Sequence, residues 1–221
     1  MATFTGFPRD AIAFYEELDA DNSRPFWQAN KGRFEAGVRQ PMLALCEQLA
    51  EYGPFHLFRP YHDVRFAKGR PPYKTAQGAV GELEGGSTYY VQISAGGLMA
   101  GAGMYAMAND QLDRYRAAAA DEARGTELAA IAAAAERRGF ELTAIGELKT
   151  APRRYPKDHP RIALLRRKGL VGLRSWPVAA WLHTARVVDR VRGAWEELAP
   201  LCSWLDAHVG PSTLPPPDAE R

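Results

Sequence analysis

Residues 87–107 alternate with period two about one glycine turn, between stretches of helical period on either side. "STYYVQIS" sets Tyr89, Val91 and Ile93 against Tyr90, Gln92 and Ser94, and after a turn at Gly96–Gly97 "LMAGAGMYAM" alternates again. Successive side chains on opposite faces make both segments strands, and so tight a glycine turn makes them a hairpin. Short consecutive strands joined by turns favour an antiparallel sheet. "HDVRF" and "KTAQGAVGEL" are expected to add strands beside it.

The flanks are helical. Ala11, Phe14, Tyr15 and Leu18 fall at i, i+3, i+4 and i+7 and predict a helix over 8–19. Asn22 or Ser23 offers an N-cap for a second helix with Pro25 in its first turn. Trp27, Lys31, Phe34 and Val38 continue one face; Pro41 is expected to break or kink it, and Met42, Leu45, Cys46 and Leu49 restart the period. Beyond the hairpin, "NDQLDRYRAAAADE" opens on a capping Asn109, and "TELAAIAAAAERRG" ends as a helix should, in two arginines and a glycine. A short helix "PRIALLRRKG", a strand "LVGLRSW" and a long helix over about 178–209 follow. The expected fold is α+β: an antiparallel sheet packed against several helices in a single compact domain over 1–209, with a proline-rich, disordered tail over 210–221.

With 221 residues, 46% of them hydrophobic, the chain suffices for one sizeable core. It has no apolar run of roughly 18 residues and opens without a basic-then-apolar leader, so the expectation is a cytoplasmic protein without a membrane partner. Cys46 and Cys202 sit among apolar residues at helical spacing and read as buried, reduced thiols. The five histidines show no close ligand spacing, and metalloprotease, P-loop and nucleophile-elbow motifs are missing, so neither metal nor cofactor is expected. Gly101-Ala102-Gly103-Met104-Tyr105-Ala106 formally matches a dinucleotide fingerprint, but its glycines lie inside a strand, where they leave room for a neighbouring element or a ligand.

Charge is the informative feature. Residues 58–74 hold five basic side chains and one acid, and residues 149–168 hold eight and one, within a chain of net charge +2. Everything else is therefore net acidic, which argues for a focused positive region rather than a uniform cationic coat. In "FRPYHDVRFAKGRPPYK", a strand at "HDVRF" would put Asp63 and Arg65 on one face, either as a structural pair or as a fork shared with a ligand oxygen. Lys68 and Lys74 lie on or beside the glycine-proline loop that follows, where binding groups and ordinary solvated lysines both occur. In "LKTAPRRYPKDHPRIALLRRKG", Asp158 can cap the next helix, or can favour the charged form of His159 as a general acid–base. Arg153 and Arg154 precede that helix start.

These segments, with "NSRPFWQANKGRFE" and "YYVQISAGGLMAGAGMYAM", give the chain its resemblance to the bacterial and fungal proteins grouped as domain of unknown function 2461, over about residues 4–209. The resemblance implies one compact fold and no assigned mechanism. This chain reads "PFW" where those proteins show a Trp-Phe order, and Ala67 where a serine often follows the Phe. The shared positions make Asp63, Asp158 and His159 the candidate catalytic groups and Arg65, Lys68, Tyr73 and Lys74 candidate ligand-binding ones, to which the basic segments add Arg59 and Arg153. The leading expectation is a small phosphate- or carboxylate-bearing ligand in a basic pocket built from both segments. The alternatives are a nucleic-acid-binding accessory protein, with Tyr61, Tyr73, Tyr89 and Tyr90 as stacking groups, and a structural or partner-binding protein with no active site.

Overall fold

The computed structural model of the chain describes residues 3–62, 69 and 71–214. In chain order the elements are α1 (Arg9–Ala20), α2 (Arg24–Phe34), a π turn (Glu35–Arg39), α3 (Gln40–Gln48), β1 (Phe55–Leu57), β2 (Ala76–Glu82), β3 (Thr88–Ser94) and β4 (Gly97–Met104). Then come α4 (Asn109–Ala120), α5 (Glu122–Arg137), β5 (Glu141–Thr143), α6 (Ile162–Arg166), β6 (Leu170–Trp176) and α7 (Arg186–His208). The six strands form one antiparallel sheet in the order β1-β2-β3-β4-β6-β5, so the fold is α+β. Two compact units share the chain, Met1–Gly81 with Tyr90–Ala100 and Ser175–Ala194, and Glu82–Tyr89 with Gly101–Arg174 and Trp195–Arg221. Each is assembled from three separate stretches, so no single cut in the sequence divides them.

In the first unit, the apolar stripe of α1 buries Ala11, Phe14, Tyr15 and Leu18. Phe14 is the hub, its ring centroid lying 5.8 Å from Phe34 and 6.0 Å from Trp27. Truncating a fully buried phenylalanine of this kind costs about 3–5 kcal/mol. Ser23 caps α2 by accepting the Phe26 N–H at 3.2 Å, with Pro25 in the first turn. Of the expected break or kink at Pro41, the break does not occur. The chain stays helical through it because the preceding turn widens: the Gln40 N–H donates to the Glu35 carbonyl, an i to i+5 bond that accommodates a residue unable to donate. β1 pairs with β2 in the register Phe55↔Gly81, His56↔Val80 and Leu57↔Ala79.

β3 alternates as its sequence requires, with Tyr89, Val91 and Ile93 buried. β4 does not: seven of its eight residues are buried, because it is an inner strand between β3 and β6. Its glycines are there for the second of these neighbours. A Cβ on Gly101 would lie 2.2 Å from the Gly172 carbonyl oxygen, and one on Gly103, at φ +136°, 2.4 Å from that of Leu170. The glycine spacing thus serves strand pairing and forms no nucleotide turn.

The second unit packs α7 onto the sheet, where Leu198 occupies the space above Gly172 and Trp195 meets Tyr89 edge to face at 5.5 Å. Asp121 caps α5 by accepting the Arg124 N–H at 3.0 Å, and Gly139 follows the helix at φ +85°. Asn109 is the first residue of α4 rather than its cap; Gln111 instead reaches back to accept the Ala108 N–H at 3.0 Å. Residues 210–214 run against α4, where Asp110 accepts the Ser212 hydroxyl at 2.8 Å and the Thr213 N–H at 2.9 Å. Cys46 and Cys202 are free and buried, and burial pushes each thiol up to about 12. Among the described residues no helix is long and apolar enough to cross a membrane.

Candidate functional site

The two basic segments fall in different units, and each is described by itself. In the first unit the chain leaves β1 and returns to β2 through a narrow neck. The His62 N–H donates to Pro72 at 3.0 Å, the Lys74 N–H donates to Pro60 at 2.8 Å, and Tyr61 faces Tyr73 in an antiparallel bridge. Asn22 clamps that neck from outside: its Nδ2 donates to the Tyr73 carbonyl and its Oδ1 accepts the Tyr73 N–H, both at 3.0 Å.

The Tyr73 ring stacks on Trp27, centroids 4.5 Å apart and planes 10° from parallel. Tyr73 was expected to hold a ligand; its backbone and one ring face are instead committed to the neck. Arg59 is exposed, and the Lys74 ammonium lies 5.5 Å from the centroid of the Phe58 ring. Asp63, Arg65 and Lys68 lie outside the described residues, and so does most of the expected "HDVRF" strand.

In the second unit the eight cations of 149–168 sort by what they touch. Arg161 is structural: its Nε donates to the Ala119 carbonyl at 2.8 Å and a terminal nitrogen to those of Ala120 and Asp121, both at 3.0 Å. The Ala119 and Ala120 carbonyls, at the end of α4, have no helical donor, and a cation at this pole of the helix is favoured; the Asp121 carbonyl also accepts the Gly125 N–H of α5 at 2.9 Å. Arg166 donates to the Leu148 carbonyl at 2.6 Å, and Arg167 to that of Leu142 at 2.6 Å.

Arg153 and Arg154 are different. Both are exposed, and among the described residues neither has a carboxylate within ion-pair distance. They occupy the centre of a turn closed by the Tyr155 N–H on the Pro152 carbonyl at 3.2 Å. Arg154 has φ +75°, the one non-glycine residue in the left-handed region among those described. Without a glycine, that conformation costs roughly 1–2 kcal/mol.

This turn forms one wall of an open cleft of about 500 Å³, lined by Asp113, Arg116, Ala117, Leu148, Pro152, Arg153, Arg154 and Tyr155. The opposite wall is the exposed edge of α4. Leu112, Tyr115, Ala118 and Ala119 point into the core, which leaves Asp113, Arg116 and Ala117 together on the outer side. Ala117 is small and gives the cleft its width. Arg116 is half-buried, its Nε directed at the Leu165 carbonyl at 3.3 Å, which fixes the guanidinium with its terminal nitrogens still available as donors. Three guanidinium groups thus line the cleft with one carboxylate.

Of the expected site residues, Arg153 lines this cleft. Asp158 and His159 do not. Asp158 is exposed and does not cap α6, which begins at Ile162 without a side-chain cap. A turn intervenes, closed by the His159 N–H on the Pro156 carbonyl at 3.2 Å. The ring then does a cap's work further on, its Nδ1 accepting the Arg161 N–H at 3.1 Å, so the neutral ring carries its proton on Nε2. Among the described residues no group of three or more His, Cys, Asp or Glu side chains converges as a metal site.

The sequence reading missed Arg116 and Tyr155. The Arg116 signal was present as Asp113, Arg116 and Ala117 at i, i+3 and i+4, a polar edge on a helix whose other face is apolar. For the nucleic-acid alternative, Tyr89 is unavailable because it is buried against Trp195.

The family described as "conserved hypothetical protein (DUF2461)" matches residues 10–204. Neither the curated proteins nor the solved structures supply a match.

Proposed function

The chain belongs to the DUF2461 family of conserved hypothetical proteins, a membership that carries no activity, and from the geometry we propose that it binds a small phosphate- or carboxylate-bearing molecule in the α4 cleft. The observation that carries this reading is the presence of Arg116, Arg153 and Arg154 on one cleft of about 500 Å³. That volume lies within the range of small-molecule sites. Planar guanidinium forks match the oxygens of carboxylates and phosphates, and a cluster with a surplus of cations attracts an anion from solution. Asp113 on the rim offers an acceptor for a ligand hydroxyl. Leu148, Pro152 and Tyr155 provide an apolar wall. The two buried free thiols fit a reducing compartment, which is where we place the protein: the cytoplasm.

A thermal-shift screen with inorganic pyrophosphate, sugar phosphates and citrate tests the proposal. A ligand present at 100 times its Kd adds about 2.7 kcal/mol to the folded state, which raises Tm by roughly 5–10 °C in a chain of this size. The Arg116→Ala and Arg153→Ala variants, folded as judged by their own melting curves, are expected to lose that increment. If no anion stabilises the wild type, or both variants respond as the wild type does, the cleft is not the site.

A further inference from the structure

The first unit carries an aromatic surface on the sheet itself rather than in a cleft. The buried side chains of β3 are Tyr89, Val91 and Ile93, so Tyr90 and Gln92 belong to its opposite, half-exposed face. On that face three rings stand in a row across β1, β2 and β3. His56 meets Phe58 with centroids 6.2 Å apart, and Phe58 meets Tyr90 at 6.0 Å.

The row passes over Gly78, where any Cβ would lie 2.6 Å from the Tyr90 hydroxyl oxygen and 3.1 Å from Phe58. The glycine is therefore what permits the rings to lie across the strand. Phe58 is 37% exposed, unusual for a phenylalanine whose backbone is pinned to the sheet by its N–H on the Gly78 carbonyl at 3.0 Å. The Lys74 ammonium sits 5.5 Å from the centre of the same ring. Tyr90 donates its hydroxyl to Gln92 Oε1 at 2.6 Å, which orients the Gln92 amide and leaves its NH2 as a donor.

We propose that this face binds single-stranded nucleic acid, with a base stacked on Phe58, its phosphate met by Lys74 and a base edge met by Gln92. Rings held at fixed spacing on an open sheet, with cations beside them, suit splayed bases; a paired duplex presents no base face to them. The choice of a polyanion over an uncharged ligand rests on charge complementarity. Phe58 and Lys74 bound a segment with five basic residues and one acid, and exposed Arg59 lies next to Phe58. Of the tyrosines expected to stack, Tyr90 stands in this row beside Phe58, whereas Tyr73 is stacked on Trp27.

The test is fluorescence anisotropy with a labelled twelve-nucleotide oligo-U and oligo-dT, and with a duplex of equal length, on the full chain at low and moderate salt. Both single strands are expected to bind more tightly than the duplex, with affinity falling as salt rises. Phe58→Ala should weaken binding by about fivefold or more, the loss of one stacked base, and Phe58→Trp should restore it. Lys74→Ala should weaken binding and make its salt dependence shallower by about 0.7 in the log–log slope, one phosphate contact. Arg137→Ala, which removes an exposed cation at the end of α5, should change neither.

Absence of binding at low salt, preference for the duplex, or equal binding by Phe58→Ala and wild type would each overturn the proposal. Should Phe58→Ala fail to fold, Lys74→Ala and Phe58→Trp decide it alone: an unchanged salt slope in the first, together with lost binding in the folded second, contradicts the stacking geometry.

Discussion

The Tyr155 N–H donates to the Pro152 carbonyl at 3.2 Å, and this one bond closes the turn that carries Arg153 and Arg154 on the wall of the cleft. The turn does so at a conformational cost. Arg154 is held at φ +75°, where an arginine is disfavoured and a glycine is not.

Arg154→Gly is expected to stabilise the protein by about 1 kcal/mol, because it removes the left-handed penalty. The same change deletes one of the three guanidinium groups of the cleft and should weaken anion binding. Urea unfolding and calorimetric titration on one sample separate the two effects. A loss of stability would mean that the Arg154 side chain makes contributions that its exposed position does not suggest.

Arg161→Met tests whether the cations of this segment divide as their contacts indicate. The Arg161 side chain is only 9% exposed, and its guanidinium serves three carbonyls at the end of α4. Its loss should cost about 2–4 kcal/mol, since it removes hydrogen bonds from a charged donor and strips a helix terminus. Arg161→Lys should recover only part of this, because an ammonium cannot reproduce the planar fork. Lys157→Met, at an exposed position in the neighbouring turn, should stay within about 0.5 kcal/mol of the wild type in chemical denaturation.

Acid should release residues 210–214. The Thr213 N–H, the Ser212 hydroxyl and the Arg114 guanidinium hold the Asp110 carboxyl well below the usual carboxylate range. A folded pKa below the unfolded one gives stability that is present above the unfolded value, near 3.9, and is lost as pH falls through the folded one. The Thr213 amide proton resonance reports this contact directly. It should hold its position at neutral pH and move only in acid below about pH 4. In Asp110→Asn that acid titration should disappear. A wild-type Thr213 resonance that moves around pH 6–7, or never, would show that Asp110 does not govern the contact.

Much of this fold is legible along the chain, for reasons that can be named. α1, the Ser23 cap, the β3 alternation and β6 are local: each depends on a short pattern of apolar spacing or on one capping side chain, and each lies within two residues of its expected bounds. The features that escaped depend on partners distant in sequence or on competition between local options. Pro41 reads as a break or a kink, and a widened turn at Glu35–Arg39 decides between them by keeping the chain helical. Asp158 followed by Pro160 reads as a helix cap, but a turn closed by His159 on Pro156 takes its place and α6 starts at Ile162. β4 lost its alternation because β6 lies against it, a fact recorded only in glycines whose purpose shows once both strands are placed.

The candidate site divides in the same way. Arg153 was legible as part of a dense cationic run, whereas Arg116 belongs to a helix whose local charge is unremarkable and joins Arg153 only through folding. Composition could count the cations of 149–168 but could not tell Arg161, Arg166 and Arg167, occupied with backbone carbonyls, from Arg153 and Arg154.

The central claim is that the α4 cleft is an anion site, and the most direct measurement is a titration of inorganic pyrophosphate into isotope-labelled protein, followed through its backbone amide resonances. Shifts should saturate together at residues 153–155 and at Arg116, and should be lost at both places in Arg153→Ala. Saturable shifts confined to other parts of the chain, or none up to millimolar pyrophosphate, would contradict it.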